Sequence, residues 1–143
     1  MAQSGKIIKK TIMYKFSAKS RKRLLTVHPD LQTLFLEVIK HRDCSVISGL
    51  RSEDEQRALY ASGRSEPGKI VTHRDGINRR SLHQTGLAVD VIPYPEGYDE
   101  DDLRDFGNFV KGIAVIMKRY GAIDKNITWG GDWEWKDKPH WEI

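Results

Sequence analysis

Between His28 and His41 the chain places Leu31, Leu34, Phe35, Val38 and Ile39 at helical spacing, and Pro29 suits the first turn. This periodicity predicts a helix that lays one face on a core. The run CSVIS, residues 44–48, predicts a short strand. In "SEDEQRALYASG", Ser52 and Glu55 stand in capping-box register and Gly63 supplies a stop, which predicts a helix of about ten residues. Residues 64–80 lose all periodicity; they are polar, turn-rich and basic, and a loop that long in a compact domain is usually functional or mobile. A strand then runs through residues 85–92, followed by the turn "PYPEGYDE". The segment 101–121 begins acidic, ends basic and closes on Gly121, as a helix should. Short strands are expected around Ile127–Trp129 and His140–Ile143. The order ααβα–loop–βαββ lacks regular βαβ alternation, so the fold class is α+β with a small, largely antiparallel sheet packed by helices.

Composition narrows the class. A chain of 143 residues, with no repeats or linkers, is expected to be one domain with its own core, residues 1–13 forming a basic N-terminal extension. The single cysteine, Cys44, excludes an internal disulfide, suits synthesis in a reducing cytoplasm and is expected in the core. The longest apolar run, GIAVIM at 112–117, is far too short to span a membrane, and the first residues lack a signal-peptide pattern. The protein is therefore expected to be made in the cytoplasm, and to act as a monomer.

The net charge of +4 is uneven. Residues 1–29 carry eight Lys/Arg (Lys6, Lys9, Lys10, Lys15, Lys19, Arg21, Lys22, Arg23) and no acid. That fits nonspecific attraction to a polyanion such as a cell wall, or simply a solvated basic edge. No RNP motif or Cys/His finger accompanies the charge, so no nucleic-acid partner is expected.

The chemistry concentrates in two stretches. In "SLHQTGLAVD" (81–90) the strand puts Ala88, Asp90 and Ile92 on one face and Leu87, Val89 and Val91 on the other. Neither face looks solvated, so Asp90 needs a cation or several donors to stay ionised. A metal would serve, with His83 seven residues upstream; Arg79 or Arg80 is the alternative. In "WGGDWEWKDKPHWEI", Pro139 prevents a helical pairing of Asp137 with His140 and sets Asp137 on a turn leading into a strand. His83, Asp90 and His140 would make three nitrogen and oxygen ligands, leaving a fourth position for water, with Asp137 beside it as base. The bland readings are a packed core histidine for His83 and surface charge for Asp137 and Glu142. The tryptophans at 129, 133 and 135 would be core or a hydrophobic wall. His28, His41 and the His73–Asp75 loop segment compete as ligands.

These residues also match a known pattern. "SLHQTGLAVD" resembles the Ser-x-His-x-x-Gly-x-Ala-x-Asp motif of the zinc D,D-peptidase family, which includes the vancomycin-resistance-type D-alanyl-D-alanine peptidases and phage L-alanyl-D-glutamate endopeptidases. "DKPHWEI" resembles the second motif of that family, an acid separated by two residues from a ligand histidine. "SGLRSEDEQRALYASG" is similar to its Gly-x-Arg-(Ser/Thr)-x-x-x-Gln segment, and the likeness runs over about residues 14–143. The resemblance implies a fold shared with the hedgehog signalling domain and one zinc on His83, Asp90 and His140. It makes Asp137 the catalytic acid/base, where many relatives have glutamate and the phage branch has aspartate. Arg51 would meet the substrate carbonyl and its oxyanion, Ser81 would contact substrate or brace the metal loop, and Gln56 would be helix surface or an outer-layer support. The implied activity is cleavage of the L-alanyl–D-glutamate bond of peptidoglycan stem peptides by a phage endolysin that a holin lesion releases from the host cytoplasm. The alternatives are a D-alanyl-D-alanine carboxypeptidase or dipeptidase, and an inactive wall-binding module.

Overall fold

Local signals start each helix where the chain needs one. The computed structural model describes residues 13–143, so the basic segment at 1–13 lies outside the described residues except for Met13. Helix α1, Ala18–Leu24, is capped by the Ser17 hydroxyl, which accepts the Ser20 N–H. Helix α2, Pro29–Val38, starts with proline in its first turn, and His28 accepts the Asp30 N–H through Nδ1. The predicted stripe of Leu31, Leu34, Phe35 and Val38 is fully buried. Helix α3, Glu53–Ala61, has both halves of the Ser52/Glu55 capping box. Helix α4, Glu100–Arg119, follows an Asp99 cap and three acidic residues in its first turn. It is not apolar enough to cross a membrane, nor is any other helix among the described residues.

Four strands, β1 (Cys44–Ser48), β2 (Ala88–Pro93), β3 (Thr128–Trp129) and β4 (His140–Glu142), form one antiparallel sheet in the order β1-β2-β4-β3. The α+β expectation therefore holds. The central strand β2 sends Val89 and Val91 into the core with Leu34, Phe35, Phe106 and Val110. Cys44 is buried there too, and burial pushes its thiol up to about 12, so it behaves as a small apolar group. Two of the tryptophans are core residues. Trp129 stacks on Trp141 with ring centroids 5.7 Å apart, and Phe35 meets Trp141 edge-on at 6.0 Å. The Trp129 ring fits because Gly107 and Gly131 flank it; a Cβ at either would come within 2.1–2.3 Å of the indole.

One expectation about β2 changes. The strand begins at Ala88, and the residues before it form a tight 3-10 turn, Leu82–Thr85, closed by Gly86 with φ at +74°. Only glycine adopts that angle without strain, and the Gly86 carbonyl then accepts the His28 N–H at 2.8 Å. The turn matters because it carries His83.

Candidate metal centre and active site

Two backbone features place His83. The Ser81 hydroxyl accepts the His83 N–H, while the Gln84 side chain accepts the Ser81 N–H, forming a miniature capping box at the start of the turn. Gln84 also donates to the Gly76 carbonyl, tying the turn to the 64–80 loop. His83 is buried, and its Nδ1 lies 2.9 Å from the Gly49 carbonyl. A carbonyl can only accept, so Nδ1 holds the proton and Nε2 keeps its lone pair.

Asp90 and His140 are set by strand pairing. They stand directly opposite each other in the β2–β4 ladder, and Ser48 faces Asp90 from β1. His140 directs Nδ1 inward, and its Nε2 lies 2.8 Å from the Glu142 carboxylate. The three inward atoms form a nearly equilateral triangle. His83 Nε2 is 3.3 Å from Asp90 Oδ1, His140 Nδ1 is 3.1 Å from the same oxygen, and the two nitrogens are 3.2 Å apart. Ligand atoms about 2.0–2.2 Å from a tetrahedral zinc lie roughly 3.3–3.6 Å from one another, so the spacing fits such an ion. Among the described residues this is the group of His, Cys, Asp and Glu side chains close enough to hold a metal.

The electrostatics point the same way. Burial opposes ionisation of Asp90, but its contacts with the His140 and His83 imidazoles hold its carboxyl well below the usual carboxylate range. Burial disfavours a charged His140, yet the bonds to Asp90 and Glu142 outweigh it and raise the imidazole to about 9. A proton or a cation is thus strongly favoured at the centre of the triangle.

Arg51 completes the support. Its Nε donates to Ser48 Oγ at 2.9 Å, Nη1 to Gln56 Oε1 at 3.1 Å and Nη2 to Asp90 Oδ2 at 2.9 Å. The oxygen of Asp90 turned away from the triangle is therefore held by Arg51, and not by Arg79 or Arg80, the alternatives raised by the sequence. Both of those side chains are exposed. Gln56 is fully buried, not helix surface: its amide also donates to Thr72 Oγ1 and to the Arg74 carbonyl, anchoring the 64–80 loop to the arginine.

Asp137 sits at the rim, Oδ2 3.9 Å from His140 Nδ1 and its side chain 34% exposed. Its N–H donates to the Gly130 carbonyl and its own carbonyl accepts the His140 N–H. The chain passes so close to Gly130 that a Cβ there would lie 2.3 Å from the Asp137 carbonyl oxygen. Burial, reinforced by the charge of Asp90, raises the Asp137 carboxyl above its ordinary value, with His140, His83 and Arg51 opposing. A carboxylate with a raised pKa beside a cation site can both take and return a proton.

The competing histidines lie elsewhere. His28 caps α2, exposed His41 pairs with Glu37, and His73 meets the Trp135 ring edge-on at 5.0 Å. Asp75 accepts three backbone N–H groups within its own turn. The tryptophan cluster is only partly core: Trp135 is exposed, and half-buried Trp133 lies 5.2 Å from the His140 ring. Sequence reasoning missed the Gly49 carbonyl and Ser48 as supports, and it held Glu142 only as surface charge. Strand alternation was the available signal for Glu142, because residues two apart share a face.

A small α+β domain carrying a three-ligand His–Asp–His centre with an acid at its rim is the frame of a metal-dependent hydrolase. The family described as phage L-alanyl-D-glutamate peptidase matches residues 12–143, and the chain belongs to that family. The chain is similar to the peptidoglycan L-alanyl-D-glutamate endopeptidase CwlK of Bacillus subtilis, at 36% identity over 109 residues. That match takes in 71% of this chain and spans 60% of the length of the Bacillus protein. An L-alanyl-D-glutamate peptidase of Escherichia phage T5 is 29% identical over 136 residues, 91% of this chain and 89% of that one. Among solved structures, the L-Ala D-Glu endopeptidase ChiX of Serratia marcescens superposes with a TM-score of 0.65 at 30% identity, covering 94% of this chain and 93% of that one. The chain is an enzyme of this peptidase family.

Proposed function

We propose that the protein is a zinc peptidase that hydrolyses the L-alanyl–D-glutamate bond of peptidoglycan stem peptides and serves a phage as its endolysin. One observation carries the metal part: His83 Nε2, His140 Nδ1 and the Asp90 carboxylate converge at 3.1–3.3 Å, a spacing that suits a cation shared among them. The family and the three relatives support the bond, and the phage T5 relative supports the endolysin role. In that role the enzyme collects in the host cytoplasm and reaches the wall through a holin lesion.

Held by His83, Asp90 and His140, zinc supplies a Lewis acid that makes water a usable nucleophile near neutral pH. Asp137 takes a proton from the attacking water at its carboxylate. The water oxygen bonds to the L-alanyl carbonyl carbon, the C–N bond breaks, and Asp137 returns the proton to the departing amine of D-glutamate. Arg51 has five N–H donors and uses three within the fold. The remaining two are assigned to the carbonyl oxygen as it gains charge. Ser81 already braces the turn through its oxygen, and its hydroxyl proton remains available to the substrate. Digestion of purified peptidoglycan, with mass spectrometry of the fragments, tests the assignment; intact stem peptides after prolonged incubation would refute it.

A further inference from the structure

We infer that Glu142 is a positioning residue of the metal centre, which fixes the tautomer and ring orientation of His140. The inference rests on the zinc reading above.

His140 and Glu142 alternate along β4, so their side chains rise on the same face of the strand. The Glu142 Oε1 lies 2.8 Å from His140 Nε2, closer than any contact within the ligand triangle. A carboxylate accepts, so it holds the imidazole proton on Nε2 and leaves the Nδ1 lone pair facing Asp90 and His83. The rings beside His140 do not make that choice. His83 meets it edge-on at 5.0 Å and Trp133 tilts against it at 5.2 Å; both restrict where the imidazole lies, but either face of a flipped ring would pack as well. A flip would turn carbon toward both the triangle and Glu142. Glu142 and Asp90 together penalise it, and the Glu142 contact is the shorter of the two.

The two histidines therefore differ in their outer support. His83 is backed by a neutral carbonyl of Gly49, whereas His140 is backed by a carboxylate. A carboxylate partner makes the imidazole the stronger donor to a cation. Glu142 touches the ring nitrogen that points away from the triangle, so it is badly placed to take a proton from a water within it. Asp137, 3.9 Å from Nδ1, keeps that task.

The test uses the full chain, with Glu142→Ala and Glu142→Gln compared by competition against a zinc chelator, and folding of each metal-free variant checked by circular dichroism. Glu142→Ala should weaken zinc binding by roughly 10- to 100-fold. Glu142→Gln should recover part of the loss, since its amide oxygen still accepts the Nε2 proton. With zinc saturating, turnover of Glu142→Ala should fall by less than about tenfold, short of the roughly 100-fold expected on losing a general base. Equal zinc affinity in wild type and Glu142→Ala would overturn the inference alone. So would a collapse of turnover at intact affinity, which would make Glu142 the base. A wild-type protein that takes up no zinc would overturn the zinc reading and this inference with it.

Discussion

Asp90 and His140 face each other across the β2–β4 ladder, and the same pairing brings Asp90 Oδ1 to 3.1 Å from His140 Nδ1. Two of the three candidate ligands are thus fixed by sheet register. A slip of one residue would turn His140 to the opposite face and dismantle the centre. The third candidate ligand, His83, arrives on a separate turn held by Gly49, Ser81 and Gln84. The account expects one zinc per chain by elemental analysis of the purified protein. Asp90→Ala and His83→Ala should each lose most of it, and a chelator should abolish activity that added zinc restores. Full zinc content in Asp90→Ala would place the metal elsewhere.

Asp137 separates chemistry from metal binding, because its carboxylate lies outside the triangle. Asp137→Ala is expected to retain zinc while turnover drops by roughly 100-fold or more. Steady-state rates on solubilised peptidoglycan, read beside zinc content, decide it. A near-normal rate would show that another group moves the proton.

Arg51 is expected to affect both quantities. It holds Asp90 Oδ2 and supplies the N–H donors assigned to the oxyanion, so Arg51→Ala should lower kcat by roughly 100-fold and weaken zinc binding as well. Arg51→Lys keeps a charge but cannot reproduce the three-way fork to Ser48, Gln56 and Asp90, and should rescue little. Wild-type kcat in Arg51→Lys would confine the arginine to a generic electrostatic role.

The sequence disclosed most of the frame for local reasons. The α2 stripe, the α3 capping box and the acidic start of α4 are all written in residues near one another, and those helices form where expected. The candidate cluster of His83, Asp90 and His140 was legible because Ser81–Asp90 and Asp137–His140 are compact motifs. What stayed hidden depends on pairings between distant residues. The Arg51–Asp90 bond joins positions 39 apart, and His83–Gly49 joins positions 34 apart. For Gln56 the sequence left helix surface or an outer support open; the return of the 64–80 loop buries it, and its bond to Arg51 favours the support. The short β3 strand falls where a strand was expected, but the packing of Trp129 between two glycines is not encoded by any local periodicity.

Zinc uptake should depend on pH in a defined direction. Without metal, the bonds to Asp90 and Glu142 raise His140 from 6.5 to about 9, so the proton is held below that value and must leave when zinc binds. Apparent affinity should therefore climb by about tenfold per pH unit toward pH 9 and flatten beyond it. The sign is the same for folding of the metal-free chain: a raised histidine pKa contributes stability that is complete below about 6.5 and lost as pH rises through about 9. Calorimetry in buffers of different ionisation enthalpy measures the released proton. Uptake independent of pH between 7 and 9 would show that His140 holds no extra proton in the metal-free site.

A single digestion identifies the scissile bond. Purified sacculi are incubated with the zinc-loaded enzyme, the new amino termini are labelled, and the fragments are identified by mass spectrometry. L-alanine should remain on muramic acid and D-glutamate should carry the new amino terminus. Release of free D-alanine, with the rest of the stem peptide intact, would contradict it.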